Sequence, residues 1–175
     1  MTCVLGLKRD GKVYLGADSR CLTGWHIHRS PNPKIFRVGG MLIGTSGSQR
    51  ISDILQYNLD PNKTHDVGYV PANYMAEEVI PEIRACMTEH DGMKSMPDSA
   101  IMVAYRGCLF IIGEDFSLSE IADYEAIGAG AKYALGYMYA MGETAYLPEE
   151  LITKALECAA WFSASCAGPF VVEKL

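Results

Sequence analysis

The chain of 175 residues has no apolar run approaching the roughly 18–20 residues that cross a bilayer. Its N-terminus also lacks the basic region, apolar stretch and cleavage site of a secretory signal, so a cytosolic protein without a membrane partner is expected. Basic residues are scarce, 15 Lys and Arg against 21 Asp and Glu for a net charge of −6, and they form no cluster. A surface of that kind excludes nucleic acid as a partner. None of the six cysteines, Cys3, Cys21, Cys86, Cys108, Cys158 and Cys166, stands in a C-x-x-C pair, which excludes a redox or zinc motif and predicts reduced, mostly buried thiols. His26, His28, His65 and His90 show no metal-ligand spacing, and no Walker A loop is present. Repeats, low-complexity tracts and linkers are also missing. With 49% hydrophobic residues, disorder is excluded and a single domain over 1–175 is expected.

What is present alternates between two periods. Thr2 to Leu7 and Val13 to Ala17 read as strands about an Arg9-Asp10-Gly11 turn, and Lys34 to Val38 and Met41 to Thr45 as a second hairpin about Gly39-Gly40. Ser19 to Pro33 between them reads as irregular. Ile51, Ile54, Leu55 and Leu59 follow a helical period ended at Asp60-Pro61-Asn62, and 62–68 is expected to be a surface loop. A second helix is predicted from Pro71 to His90, with Pro81 as a kink or late start. Ala100 to Tyr105, Cys108 to Ile112 and Phe116 to Ile121 form a further meander. Helices at Ala131 to Met141 and Glu149 to about Cys166 and a short strand at Phe170 to Val172 complete the chain. Without βαβ alternation, two antiparallel sheets must each cover an apolar face. Face-to-face stacking with a helix pair outside each gives an α+β fold, a four-layer αββα sandwich.

The chemistry concentrates at the start. Removing Met1 would expose Thr2, whose hydroxyl and free α-amine, of ordinary pKa about 7.7–8.0, supply nucleophile and general base on one residue. A cation that lowers the hydroxyl pKa and a carboxylate that holds it complete such a site, and Lys34 and Asp18 suit those tasks. Taken alone, Asp18-Ser19 is equally turn chemistry and Lys34 a solvated strand-edge charge. Cys3 is a rival nucleophile, but counting sixteen and thirty-two residues from it reaches Ser19 and Ile35, neither of which does electrostatic work.

Thr2, Asp18 sixteen residues on, Lys34 thirty-two on, Gly16-Ala17-Asp18-Ser19-Arg20 and Gly44-Thr45-Ser46-Gly47 together resemble the peptidase subunits of the proteasome β and HslV family of N-terminal nucleophile hydrolases, over nearly the whole chain. The resemblance implies a threonine-type endopeptidase with the Gly47 N–H as oxyanion donor and Cys21, Asn32, Phe36 and Ser46 on the wall of the specificity pocket. It implies stacked homo-oligomeric rings, supplied by an ATP-dependent unfoldase, acting on polypeptide. No cofactor is required. A structural Na+ or Mg2+ on the backbone carbonyls of Ala160, Ser163 and Cys166 is implied by the same likeness, a plain helix C-terminus being the alternative.

The chain departs from the family at two places. Ala129 stands where the family has a serine in Ala126-Ile127-Gly128-Ala129-Gly130, and Ser163 and Cys166 align with an Asp and Ser pair. These departures leave open a catalytically inactive ring-forming scaffold, and a chain that forms no ring would instead be a free-standing N-terminal nucleophile amidohydrolase. Tyr133, Tyr137, Met138, Tyr139 and Met141 are the residues expected to divide between core and subunit contacts.

Overall fold

The computed structural model describes the chain apart from Met1, Trp25, Ser30, Pro31, 61–67, Tyr69 and 143–145, and apart from the side chains of Thr23, His28 and Arg29. Strands β1 (Val4–Arg9) and β2 (Lys12–Ala17) form the opening hairpin, with Val4 opposite Ala17. They are flanked by β10 (Tyr124–Ile127) and β11 (Val171–Lys174) in a four-stranded antiparallel sheet of order β10-β1-β2-β11. Strands β5 (Ile35–Val38), β6 (Met41–Ser46), β7 (Ala100–Tyr105), β8 (Cys108–Ile112) and β9 (Leu118–Ile121) form a five-stranded sheet in chain order.

Both sheets are covered on both faces, so their strands read as nearly continuous apolar runs. Val4, Val13, Leu15, Ile35, Leu42, Met102 and Leu109 pack between the sheets. Outside the five-stranded sheet, Phe36, Ile43, Val103 and Phe110 meet α1 (Gln49–Asn58) and α3 (Ile80–Asp91) through Ile51, Ile54, Leu55 and Ile83. Outside the other, Cys3, Leu5, Leu7 and Tyr14 meet α4 (Ala131–Met141) and α5 (Pro148–Phe162) through Ala134, Met138, Ile152, Ala155 and Leu156. Three apolar layers thus hold the four-layer αββα sandwich that the order of elements requires.

Several elements depart from the sequence reading. Ser19 to Pro33 is not wholly irregular: β3 (Arg20–Thr23) and β4 (His26–Arg29) form a separate hairpin, with Cys21 opposite His28. Its Ile27 is 62% exposed, so no buried face marks it in the sequence. Strand β10 was not expected, and β9 begins at Leu118 because Phe116 takes a left-handed turn conformation, φ 65°. The expected helix from Pro71 contains α2 (Pro71–Tyr74), a π-helical turn at Met75–Val79 and then α3. Pro81 accounts for the turn: it has no N–H to give the carbonyl four residues back, and the Ile80 N–H bonds to Met75 O instead. Helix α5 stops at Phe162, short of Cys166, where Ser163 turns extended and its Oγ takes the Ser165 N–H at 3.3 Å. The last strand is shifted to Val171–Lys174. Most of the loop expected at 62–68, and His65, fall outside the described residues.

Candidate active site

Thr2 lies at the mouth of β1, 5% exposed, with its carbonyl accepting the Gly130 N–H at 3.2 Å. Gly128, φ 93°, lies against it: a Cβ there would collide with the Thr2 carbonyl oxygen and lie 3.2 Å from Ser46 Cβ. Glycine at 128 is therefore required by both backbone conformation and close approach.

The register Val4 opposite Ala17 brings Asp18 beside Cys3, and the two backbones bond through Asp18 N–H to Cys3 O at 3.2 Å. The Asp18 carboxylate is fully buried and takes four donors. Its Oδ1 accepts the Cys3 N–H at 2.8 Å and the Lys34 ammonium at 2.9 Å, while its Oδ2 accepts Arg20 N–H at 3.0 Å and Ala167 N–H at 3.3 Å. Lys34 enters from the five-stranded sheet, immediately before β5. Its side chain is 9% exposed, and Nζ also donates to Arg20 O at 2.7 Å. A buried pair is tolerable only when its remaining hydrogen-bonding capacity is filled in this way. Asp18 thus ties the ammonium to the peptide group joining Thr2 and Cys3. Lys34 therefore lacks the solvated strand-edge role it could have had alone, whereas Asp18 keeps turn chemistry through the Arg20 N–H two residues on and adds the ion pair to it.

Gly47 ends β6 at φ 100°, where a Cβ would strike Ser99 Oγ and the Asp98 carbonyl. Ser99 supports this turn, its Oγ accepting Ser48 N–H and donating to Pro97 O, each at 3.0 Å. A pocket of about 130 Å³ adjoins the ion pair, lined by Ala17, Asp18, Ser19, Cys21, Asn32, Pro33, Lys34, Ile35 and Val171. Of the four expected wall residues, Cys21 and Asn32 line it. Ser46 lies instead beside Gly128 and Thr2. Phe36 is not brought to the pocket: it alternates with Ile35 and points to the α1–α3 side, 5% exposed in that core.

The Cys3 thiol is fully buried, and its hydrogen bond to Cys166 together with burial pushes its pKa far up. A thiol held protonated is a poor nucleophile, so the geometry disfavours Cys3 as the rival. At the turn after α5, Ser163 O accepts Cys166 N–H at 3.1 Å and Ala164 O accepts Arg20 Nη1 at 2.7 Å. The guanidinium therefore already brings positive charge to the carbonyl-rich turn that contains Ser163 and Cys166 and follows Ala160. Among the described residues no three His, Cys, Asp or Glu side chains gather as a metal site, and no helix is long and apolar enough to cross a membrane. Arg20, Ala167 and Ser99 were not singled out from sequence. Two of these act through backbone groups, for which side-chain identity carries no signal.

No protein-family model matches the chain, and a search of curated proteins finds no match. Solved structures do match. Thiobacillus denitrificans BPH aligns with TM-score 0.78 and 21% identity over 99% of this chain and 97% of its own. The same protein in complex with epoxomicin gives 0.79 and 21% over the same shares. Eukaryotic HslV from Trypanosoma brucei gives 0.76 and 20%, covering 99% of this chain and 98% of that one. Nearly end to end, then, the chain has the αββα fold found in HslV, the fold of the proteasome β and HslV family.

Proposed function

We propose that the chain is a threonine-type endopeptidase subunit of a self-compartmentalising, proteasome-like protease, with Thr2 as nucleophile once Met1 is removed. The observation that carries this reading is the buried Lys34–Asp18 pair, 2.9 Å apart and bonded through Asp18 to the Cys3 N–H. A fixed ammonium next to an N-terminal hydroxyl stabilises the alkoxide and so lowers the hydroxyl pKa. In the proposed reaction the Thr2 α-amine takes the hydroxyl proton and Oγ1 attacks the peptide carbonyl. The Gly47 N–H receives the developing oxyanion. Collapse transfers the proton to the leaving amine and leaves an ester on Thr2, which water then hydrolyses. Cys21 and Asn32 would contact the substrate side chain that enters the adjoining pocket.

Assembly into stacked homo-oligomeric rings fed by an ATP-dependent unfoldase belongs to the same proposal. Met138 is core, whereas Tyr139 is 83% exposed and Tyr133 stacks on the exposed Phe162 with ring centroids 5.6 Å apart. These supply apolar surface for a repeated contact. A hard cation on the Ala160, Ser163 and Cys166 carbonyls would share that turn with the Arg20 guanidinium and serve structure only. A cytoplasmic location completes the proposal.

The inactive scaffold is the second reading, favoured by Ala129 and by Ser163 and Cys166 in place of the family's polar residues. Hydrolysis of fluorogenic peptides by Met1-processed protein separates the two: the peptidase reading expects turnover that Thr2→Ala abolishes with the fold intact. Undiminished hydrolysis by Thr2→Ala would sink it. Light scattering separates the ring from a free-standing amidohydrolase, which would be a monomer that cleaves peptides.

A further inference from the structure

We propose that Cys3 and Cys166 form a peroxide-sensitive disulfide site that ties the residue after Thr2 to the turn following α5 and turns the active site off reversibly. The two side chains meet over Gly130, the residue before α4. A Cβ built on that glycine would lie 2.7 Å from Cys3 Cβ and 2.6 Å from Cys166 Sγ, so the missing side chain is what lets the cysteines come together. Their thiols are hydrogen-bonded to one another, and the residues are 0% and 1% exposed. Burial excludes bulky oxidants and leaves a small peroxide as the reagent.

A thiolate of the pair displaces hydroxide from hydrogen peroxide to give a sulfenic acid. That step removes the contact between the two thiols that holds the Cys3 proton, and the remaining sulfur attacks the sulfenic sulfur, its proton leaving with the departing hydroxide as water. In sum two thiols lose two electrons and two protons, and one peroxide becomes two waters.

Closure shortens the sulfur separation to a covalent bond of about 2.05 Å. The Cys3 side resists movement, because its N–H and C=O are both held by Asp18. The turn yields instead, and it carries the longest of the four Asp18 contacts, Ala167 N–H at 3.3 Å, together with the Ala164 carbonyl held by Arg20. Asp18 then loses a donor and Lys34 its fixed orientation. The loss of turnover rests on the peptidase reading, whereas bond formation and loosening around Asp18 do not.

The test uses the full chain, exposed to hydrogen peroxide without denaturant and digested without reductant. A cross-linked peptide joining Cys3 to Cys166, lighter by two hydrogens and reversed by dithiothreitol, is expected. Cys166→Ser should remove it and Cys86→Ser, in the other core, should not. Amide exchange at Cys3 and Ala167 should rise by about tenfold or more on oxidation as their local protection is lost. Peptide hydrolysis should fall and return with reductant. Separate oxidation of the two sulfurs to sulfinic acids, an absent cross-link, or a cross-link that leaves both amides unchanged would each overturn the proposal. If neither redox state cleaves peptides, the peptidase reading fails, while the cross-link and exchange results still decide this one.

Discussion

Asp18→Asn replaces one carboxylate oxygen by an amide nitrogen at a site where each oxygen takes two donors. One amide orientation turns the nitrogen toward the Cys3 N–H and the Lys34 ammonium, the other toward the Arg20 and Ala167 N–H groups. Either way two donors lose their acceptor, at about 1–3 kcal/mol apiece. Lys34 loses its counter-charge in both orientations, and in the first it keeps only the Arg20 carbonyl, at 2.7 Å. Breaking a buried pair costs about 3–5 kcal/mol, consistent with that donor count. For a chain of 175 residues, in which each kcal/mol moves Tm by about 2–4 °C, the expected fall is about 6–20 °C. Thermal melts followed by circular dichroism, with Glu173→Gln as control, would measure it. The control removes the exposed Arg37–Glu173 pair, 3.1 Å apart, and should cost about 1 kcal/mol or less. An Asp18→Asn variant as stable as the control would refute the inference that the carboxylate organises this site.

Gly128→Ala should reduce peptide turnover by about tenfold or more and destabilise by about 1–3 kcal/mol, because it strains a positive φ and pushes on the Thr2 carbonyl. Gly136→Ala, exposed inside α4 with open space around it, should instead stabilise by about 0.5–1 kcal/mol in the same melts. The raised Cys3 pKa carries a pH signature. The folded chain keeps a proton that the unfolded chain loses above about pH 8.5, so this contribution to stability is complete below that value and declines as pH rises. Denaturant unfolding between about pH 9 and 11 should lose stability more steeply with pH in wild type than in Cys3→Ala. Equal slopes would mean that the Cys3 thiol is not held protonated.

Much of this arrangement is legible in the sequence. The spacing of Thr2, Asp18 and Lys34 led to an ion pair that the structure closes at 2.9 Å, and the doubly buried strands announced themselves as unbroken apolar runs. The β3–β4 hairpin is not legible, since its described side chains are half-buried or exposed and leave no period to read. Phe36 was misplaced because a motif position does not fix which sheet face a side chain takes. One residue of alternation separates Ile35, on the pocket, from Phe36, in the helix-facing core. The π-helical turn before Pro81 and the donors from Arg20 and Ala167 are backbone events, and the sequence records them only indirectly.

The most direct measurement is a map of the site at which a peptide epoxyketone attaches. Such electrophiles close a ring using both the hydroxyl and the α-amine of an N-terminal residue. Treating Met1-processed protein and sequencing the modified peptide by tandem mass spectrometry should place one adduct on Thr2, with none on the Thr2→Ala variant. An adduct on Cys3 or an internal serine, or a protein that cleaves peptides yet never forms the Thr2 adduct, would contradict the assignment of Thr2 as nucleophile.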